Sequence, residues 1–459
     1  MKIDNIFQND RIKILLAAIS IRVLFLIFFL AAGYSEDFAQ AHYPDSATYI
    51  APADSIIQKG QFLNENSLPE IYRTPGYPLF LAFCKLISGK ARVWAAVFFQ
   101  NLLNILAVLV LYALILELCR DRTAALAGSL LAAINLHDIY FSFFILSDSL
   151  FQSIILFAIY FLVRFFKRFR IIDLVWTAGL FSAGTFVRPS GLYLPLILTA
   201  VIGLVLFIKR TKKKALFYSL IFLLIGMGPA FLWQCRNERV AGFADFSAVR
   251  SANLYSYHSA GILAYKNGTD FYHEQENLKN SAELLELQKT MSLQEAEMTL
   301  ATKIIIQNMP VYLLLNMEGA GLILLYPGVF DIFQVNSGFL DYIASIKSTF
   351  LDSSGFWDRL IPFLVQPYSI LTLLDILILF GLSIVTILGI IRSFRTGISW
   401  YISLVLSGIF CYFLAVSAGP NGYGTFPRFR LSVSMLQALY FGIFICSAQK
   451  RKNLRKETR

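Results

Sequence analysis

The sequence predicts an all-α polytopic membrane protein of about ten transmembrane helices, and three observations carry that prediction. Of its 459 residues, 57% are hydrophobic and 15% charged, with a mean hydropathy of +0.62, outside the range of a soluble globular domain. Apolar runs of roughly 17–25 residues, long enough to cross a hydrocarbon core as helices, recur along the chain. Basic residues gather at the ends of these runs, the distribution that orients membrane proteins. The net charge of +11 therefore reads as cytoplasmic loops and membrane-lipid contact, and no nucleic-acid partner is expected. Five cysteines, Cys84, Cys119, Cys235, Cys411 and Cys446, have no paired spacing, so neither a disulfide framework nor a thiolate metal site is indicated.

The elements follow in order. The first run, Leu15 to Gly33, is long enough to span and is expected to stay as an anchor rather than be cleaved as a signal. Basic clusters at Arg11 and Lys13, Arg120 and Arg122, Arg164 to Arg170, Lys209 to Lys214, Arg392 and Arg395, and Lys450 to Arg459 mark the cytoplasmic side. Neighbouring clusters must then be separated by an even number of crossings. Leu15 to Gly33 and Val93 to Leu118 enclose a first outer loop, 34–91. Two apolar segments between Arg122 and Arg164 meet near Leu136 to Asp148, placing His137, Asp138 and Asp148 at an outer tip. Ile171 to Val187 and Leu192 to Ile208 form a hairpin turned at Arg188-Pro189-Ser190-Gly191, and Leu216 to Trp233 crosses outward.

Gln234 to Met309 is mostly polar, and its Ser292-Leu293-Gln294-Glu295 reads as a capping box opening a helix that stops before Pro310. Val311 to Phe330 is apolar but carries Glu318, three glycines and Pro327. If it crossed, Arg392 and Arg395 would lie outside, so it is expected to be interfacial or re-entrant. Ile370 to Ile391, Ile398 to Ser417 and Leu431 to Ser447 complete ten spans with both termini cytoplasmic. The expected organisation is an N-terminal transmembrane module, 1–233, an extracytoplasmic helical region, 234–368, containing the 311–330 segment, and C-terminal helices with a basic tail, 369–459. That tail is expected to hold lipid headgroups.

This topology collects Asp45, Asp54, Arg73, Asp148, Arg188, Arg428 and Arg430 on the outer face near the bilayer boundary. A charge at a helix centre in a membrane costs roughly 2.5 to 3.5 kcal/mol, less near the interface, so such residues have partners or a task. The plain alternative is that Asp148 and Arg188 pair with each other or with headgroups. Arg73 precedes Thr74-Pro75-Gly76-Tyr77-Pro78, a stiff turn, and Leu79 to Ser88 is too short to span. A short interfacial helix there would hold Arg73 at phosphate depth, where a planar donor fork grips phosphate oxygens. Asp45, between Pro44 and small residues and flanked by Tyr43 and Tyr49, is placed to take an acceptor proton or hold a metal. It is equally placed to start a helix running to Lys59.

Other signals are weaker. Asn267-Gly268-Thr269 is a formal glycosylation sequon, His258 and His273 lack metal-ligand spacing, and Arg22 within the first span is expected to snorkel or to pair with another helix. Tyr255, Tyr257, Tyr265 and Tyr272 allow either a lid over an acceptor sugar or ordinary packing.

The first outer loop, with Pro44-Asp45-Ser46-x-x-Tyr49 and then Tyr72-Arg73-Thr74-Pro75-Gly76-Tyr77-Pro78-Leu79-Phe80-Leu81-Ala82, resembles the dolichyl-phosphate-mannose-protein mannosyltransferase-like branch of the GT-C glycosyltransferases. That branch includes the lipid A aminoarabinose transferases. Leu146-Ser147-Asp148-Ser149-Leu150-Phe151, the Val-Arg-Pro ending at Pro189, and Pro427-Arg428-Phe429-Arg430-Leu431 fit the same pattern.

The resemblance implies a GT-C-type bundle of 10–12 helices in the plasma (inner) membrane of a bacterium. It also implies transfer of a sugar from a polyprenyl-phosphate donor to a glycan, lipid or protein acceptor at the extracytoplasmic face, with inversion. Asp45 and Asp148 would be the catalytic carboxylates, and Arg73, Arg188, Arg428 and Arg430 would bind the donor phosphate. Tyr49, Tyr72, Tyr77 and His258 would meet substrate. A divalent metal, Mg or Mn, would sit on Asp45 and Asp148 if anywhere, but the first loop holds one well-placed Asp rather than an acidic pair. A transporter or flippase of lipid-linked glycans, or a glycan polymerase, is the alternative; the absence of an internal repeat and the gathering of polar residues at one face weigh against the former.

Overall fold

The computed structural model describes residues 2–41, 43, 45–329, 369–419 and 426–457. Among these the chain is helical, with an isolated bridge between Leu63 and Pro69 outside the helices. The helices in order are α1 (Lys2–Ala31), α2 (Glu36–Ala41), α3 (Asp45–Lys59), α4 (Gly76–Ser88), α5 (Arg92–Cys119), α6 (Arg122–Ala133), α7 (Leu136–Phe141), α8 (Ser147–Arg168), α9 (Ile171–Val187), α10 (Leu194–Lys209) and α11 (Lys212–Ala241). They continue with α12 (Val249–Ala252), α13 (Ala260–Asn267), α14 (Phe271–Lys279), α15 (Ala282–Leu287), α16 (Leu293–Gln307), α17 (Met309–Leu325), α18 (Ser369–Ser393), α19 (Trp400–Ser417), α20 (Phe426–Phe429) and α21 (Leu431–Glu457).

Among the described residues, eight helices are long and apolar enough to cross a membrane, or nine if the bent pair α16 and α17 counts as one span. The all-α, multi-span prediction is met, with a helix at each of the ten places expected. The difference in number has two causes. α9 has 17 residues, about 26 Å at 1.5 Å per residue, just at the lower limit of a span. α6 has only 12, because Asn135 ends the run and caps α7 by accepting from the backbone N–H groups of His137 and Asp138 at 3.1 and 3.3 Å. What hydropathy reads as one segment is therefore two helices with a polar break.

Long Leu, Ile and Phe side chains on α1, α10, α11 and α18 face outward, as expected where the surrounding solvent is hydrocarbon. The core lies between α5, α6, α8, α9 and α21, which pack directly on one another. Close approach is set by glycine: a Cβ on Gly128 would lie 2.8 Å from the Ala438 carbonyl oxygen, so α6 reaches the α21 backbone only as glycine permits.

The 249–307 region forms its own small apolar core around Tyr255, Phe271, Leu284 and Leu300. The capping box that opens α16 is present, with Ser292 and Glu295 bonding reciprocally. α16 stops at Gln307, and α17 leaves at 97° to it. Pro44, the segment from Phe330 through 368 and residues 420–425 lie outside the described residues, as do the side chains of the basic tail.

Candidate active site

Two carboxylates sit at helix starts, where unsatisfied backbone N–H groups favour negative charge. Asp45 is the first residue of α3 and Asp148 the second of α8. The two starts are docked together: Ser46 Oγ donates to the Ile145 carbonyl at 3.0 Å, and Tyr49 OH lies 3.1 Å from Ser147 Oγ.

Arg73 is delivered by the loop between α3 and α4, and that loop is held firmly. Glu70 Oε1 accepts from the backbone N–H groups of Tyr72 and Arg73 at 2.6 and 2.9 Å. Arg236 donates to the Glu70 carbonyl at 2.7 Å, and Ser247 Oγ donates to that of Tyr72 at 2.6 Å. Just beyond, a Cβ on Gly76 would stand 2.6 Å from the backbone of Phe186. A glycine there lets the start of α4 lie against the end of α9, beside Arg188.

The guanidinium of Arg73 donates to Asp45 Oδ1 at 2.5 Å, Thr48 Oγ1 at 2.8 Å and Tyr49 OH at 3.2 Å. It lies over the rings of Tyr49 and Tyr72, 4.4 and 5.0 Å from their centroids, a favourable place for a cation. Arg428 bridges the carboxylates, Nη1 donating to Asp45 Oδ2 at 2.7 Å and Nε to Asp148 Oδ2 at 2.9 Å. Arg188 pairs with Asp148 Oδ1.

Three guanidiniums thus face two carboxylates, and the cluster carries one net positive charge. Burial alone would push the Asp45 carboxyl up, but the guanidiniums of Arg428 and Arg73 hold it well below the usual carboxylate range. Burial, then the neighbouring Arg428, brings Arg188 down to about 10, so it stays charged near neutrality. The Asp45 side chain is 33% exposed and that of Asp148 0%, so only Asp45 can meet a molecule arriving from solvent. An apolar cavity of about 380 Å³, lined by Phe62, Pro75, Gly76, Leu79, Phe186 and Trp233 among others, opens beside the Arg73 turn.

The residues fit a metal poorly. Among the described residues no three His, Cys, Asp or Glu side chains gather in one place. Each oxygen of Asp45 and Asp148 faces a guanidinium, so a divalent cation would enter a site already cationic.

Of the residues expected from the sequence, Asp45, Arg73, Asp148, Arg188 and Arg428 come together. Arg430 does not: it turns away and donates to the Ile323 carbonyl at 2.6 Å and to that of Tyr326. Tyr77 is fully buried and packs edge-on against Tyr49 at 4.9 Å, so it supports Tyr49 and does not line a surface open to substrate. Tyr49 is buried and spends its hydroxyl on Arg73 and Ser147. Tyr72 remains partly open beside Arg73. His258 sits in the 249–307 helical region against Tyr312, and burial brings it down to about 4, which keeps it neutral. Asp54 belongs elsewhere, with Lys85 at 2.8 Å and Arg92. Arg22 pairs with Asn101 and Asn104 across helices.

Sequence reasoning missed Glu70 and Thr48. Glu70 carried a usable signal, an acid three residues before Arg73 in a proline-bounded turn; Thr48 differs in no way from a surface threonine until α3 is formed.

Residues 72–233 match the family described as dolichyl-phosphate-mannose-protein mannosyltransferase. That segment supplies Arg73, Asp148 and Arg188, so the likeness read from the sequence holds where three of the five clustered residues lie. A comparison with curated proteins gives no match. Among solved structures, the chain is similar to the apo oligosaccharyltransferase of Archaeoglobus fulgidus, at 13% identity and TM-score 0.48, covering 94% of this chain and 51% of that one. It is also similar to ArnT from Cupriavidus metallidurans bound to undecaprenyl phosphate, at 12% identity and TM-score 0.37, covering 91% and 77%. The chain spans about half the length of the archaeal oligosaccharyltransferase.

Proposed function

We propose that this protein is an integral-membrane glycosyltransferase that moves a sugar from a polyprenyl-phosphate donor to a glycan, lipid or protein acceptor. In this reading the site lies at the extracytoplasmic face of the plasma membrane and the anomeric carbon inverts. The observation that carries it is the convergence of Arg73, Arg188 and Arg428 on Asp45 and Asp148. A sugar phosphodiester bears one negative charge, the complement of the cluster's single positive charge. The apolar cavity beside Arg73 would take the first isoprene units of the donor.

Donor phosphate competes with the carboxylates for Arg73 and Arg428. As it takes them, Asp45 loses the cations that hold its pKa down, so its basicity rises when the donor is bound. The acceptor hydroxyl then attacks the anomeric carbon and gives its proton to Asp45. The bond from that carbon to the phosphate oxygen breaks, and the leaving phosphate gains a negative charge that the guanidiniums neutralise without proton transfer. Asp148, wholly buried between Arg188 and Arg428, orients them and does not contact the acceptor.

Mass spectrometry of surface glycans and lipid-linked sugars, with and without the protein, tests this reading. Loss of one sugar from a glycan with accumulation of its lipid-linked donor is expected. The same loss from the glycan with the lipid-linked sugar held on the inner leaflet would replace the enzyme with a flippase.

A further inference from the structure

Behind the site lies a second buried polar cluster, and we infer that its His137, Asp375 and Arg430 form a latch that positions Arg428; this rests on the donor-phosphate reading above. Arg430 follows Arg428 by two residues and caps the end of α17, whose last carbonyls have no helical partner. It donates to Ile323 and Tyr326, and its Nη1 lies 3.0 Å from His137 Nδ1. A guanidinium only donates, so Nδ1 must accept. The ring proton then sits on Nε2, which lies 3.2 Å from Asp375 Oδ2 and donates to it. The same oxygen accepts from the backbone N–H groups of Gly328 and Val329 at 2.8 and 3.2 Å.

One neutral imidazole thus joins α7, α18, the end of α17 and the chain between α20 and α21. The fit is tight: a Cβ on Gly328 would lie 2.4 Å from His137 Cδ2. α17 is seated a second time where Gly319 meets Gly419, its would-be Cβ 2.2 Å from that carbonyl oxygen. The backbone that presents Arg428 is therefore fixed from its far side. His137, Asp375 and Arg430 are positioning residues, acting on donor phosphate through Arg428 and not by touching it.

The test compares His137→Gln, which can still accept from Arg430 and donate to Asp375, with His137→Phe, which can do neither. Purified full-length protein is titrated with undecaprenyl phosphate, transfer is assayed below donor saturation, and melting temperature is followed. A misplacement near 1 Å is sufficient to cost about 100-fold, so His137→Phe is expected to lose about tenfold or more in both readouts, while His137→Gln retains most of each. Gly328→Ala displaces the ring while leaving the chemistry of every latch side chain unchanged, so it should follow His137→Phe and serves if that variant does not fold. With Cys235 and Cys411 replaced by serine, a pulsed spin-label distance between cysteines replacing Leu313 on α17 and Leu404 on α19, both exposed, reads the latch without any donor. It should be narrow in the wild type and His137→Gln, and broad in His137→Phe and Gly328→Ala. Binding and distance unchanged in His137→Phe would overturn the latch, as would His137→Gln failing alongside it at wild-type melting temperature. Failure of the wild type to transfer sugar, with the distance broadening as expected, would overturn the donor reading and leave the latch standing.

Discussion

Arg428 and Arg430 stand two residues apart in one Pro-Arg-Phe-Arg stretch, and they serve different ends. Arg428 bridges Asp45 and Asp148 at 2.7 and 2.9 Å; Arg430 caps backbone carbonyls and meets His137. Two positions along a helical turn point about 200° apart at 3.6 residues per turn. Arginines two positions apart on such a turn therefore cannot both face the same phosphate. The contrast teaches that a charged residue's role is fixed by the direction its backbone gives it, which residue type and topology do not reveal.

The strongest way to break the contrast is at Arg428. Arg428→Ala is expected to lower transfer about 100- to 1000-fold, the usual consequence of removing one preorganised donor, whereas Arg430→Ala should act first on stability. Leaving the carbonyls of Ile323 and Tyr326 without a partner costs about 1–3 kcal/mol for a buried acceptor, read as a lower melting temperature in detergent. Equal losses of turnover at equal stability in both variants would erase the distinction. Arg73→Ala comes next, because Arg188 and Arg428 remain: the donor concentration for half-maximal transfer should rise roughly tenfold, about 1.4 kcal/mol, with less change at saturation.

A smaller effect is expected with pH. His258 is brought down to about 4 by burial, below the ordinary histidine value of about 6.5. The unfolded chain then binds the proton more readily, so this histidine's contribution is complete above about pH 6.5 and is lost as pH falls toward 4. His258→Phe should flatten the melting-temperature profile in that window. Asp45 has its carboxyl held below the usual range, so its contribution is present above about pH 3.9 and is lost only in stronger acid; between pH 5 and 8 it adds no slope. Smallest is Tyr77→Phe. It removes a 3.3 Å bond to Gln100 and should cost about 1 kcal/mol or less, with transfer nearly unchanged. A large loss of transfer there would return Tyr77 to the substrate surface.

Much of this was legible in the sequence, because hydropathy and basic clusters report the membrane directly. The helices near Leu15, Val93, Leu216, Ile370 and Leu431 follow from runs of apolar residues that have no other stable place. Asp148 and Arg188 were accessible because each sits at the end of such a run, and Asp45 and Arg73 because the loop that holds them joins two such runs. What was hidden depends on side-chain direction and backbone contact. Asp375 lies inside an apolar helix and shows no pattern until His137 and Gly328 are beside it. The shortening of α6 turns on Asn135, a polar break that a hydropathy window averages away. Tyr49 and Tyr77 are expected from the resemblance to meet substrate, yet here Tyr49 packs beneath Arg73 and Tyr77 against Tyr49.

The central claim is that three guanidiniums balanced by two carboxylates form a phosphate site in which Asp45 is both competitor and base. Titrating undecaprenyl phosphate into the purified wild type and Asp45→Asn tests it most directly, with sugar transfer measured on the same preparations. Removing the carboxylate frees Arg73 and Arg428, so Asp45→Asn is expected to bind the phosphate several-fold more tightly, on the order of 1 kcal/mol, while transfer is abolished. Weaker phosphate binding in Asp45→Asn, or transfer retained in it, would contradict the account.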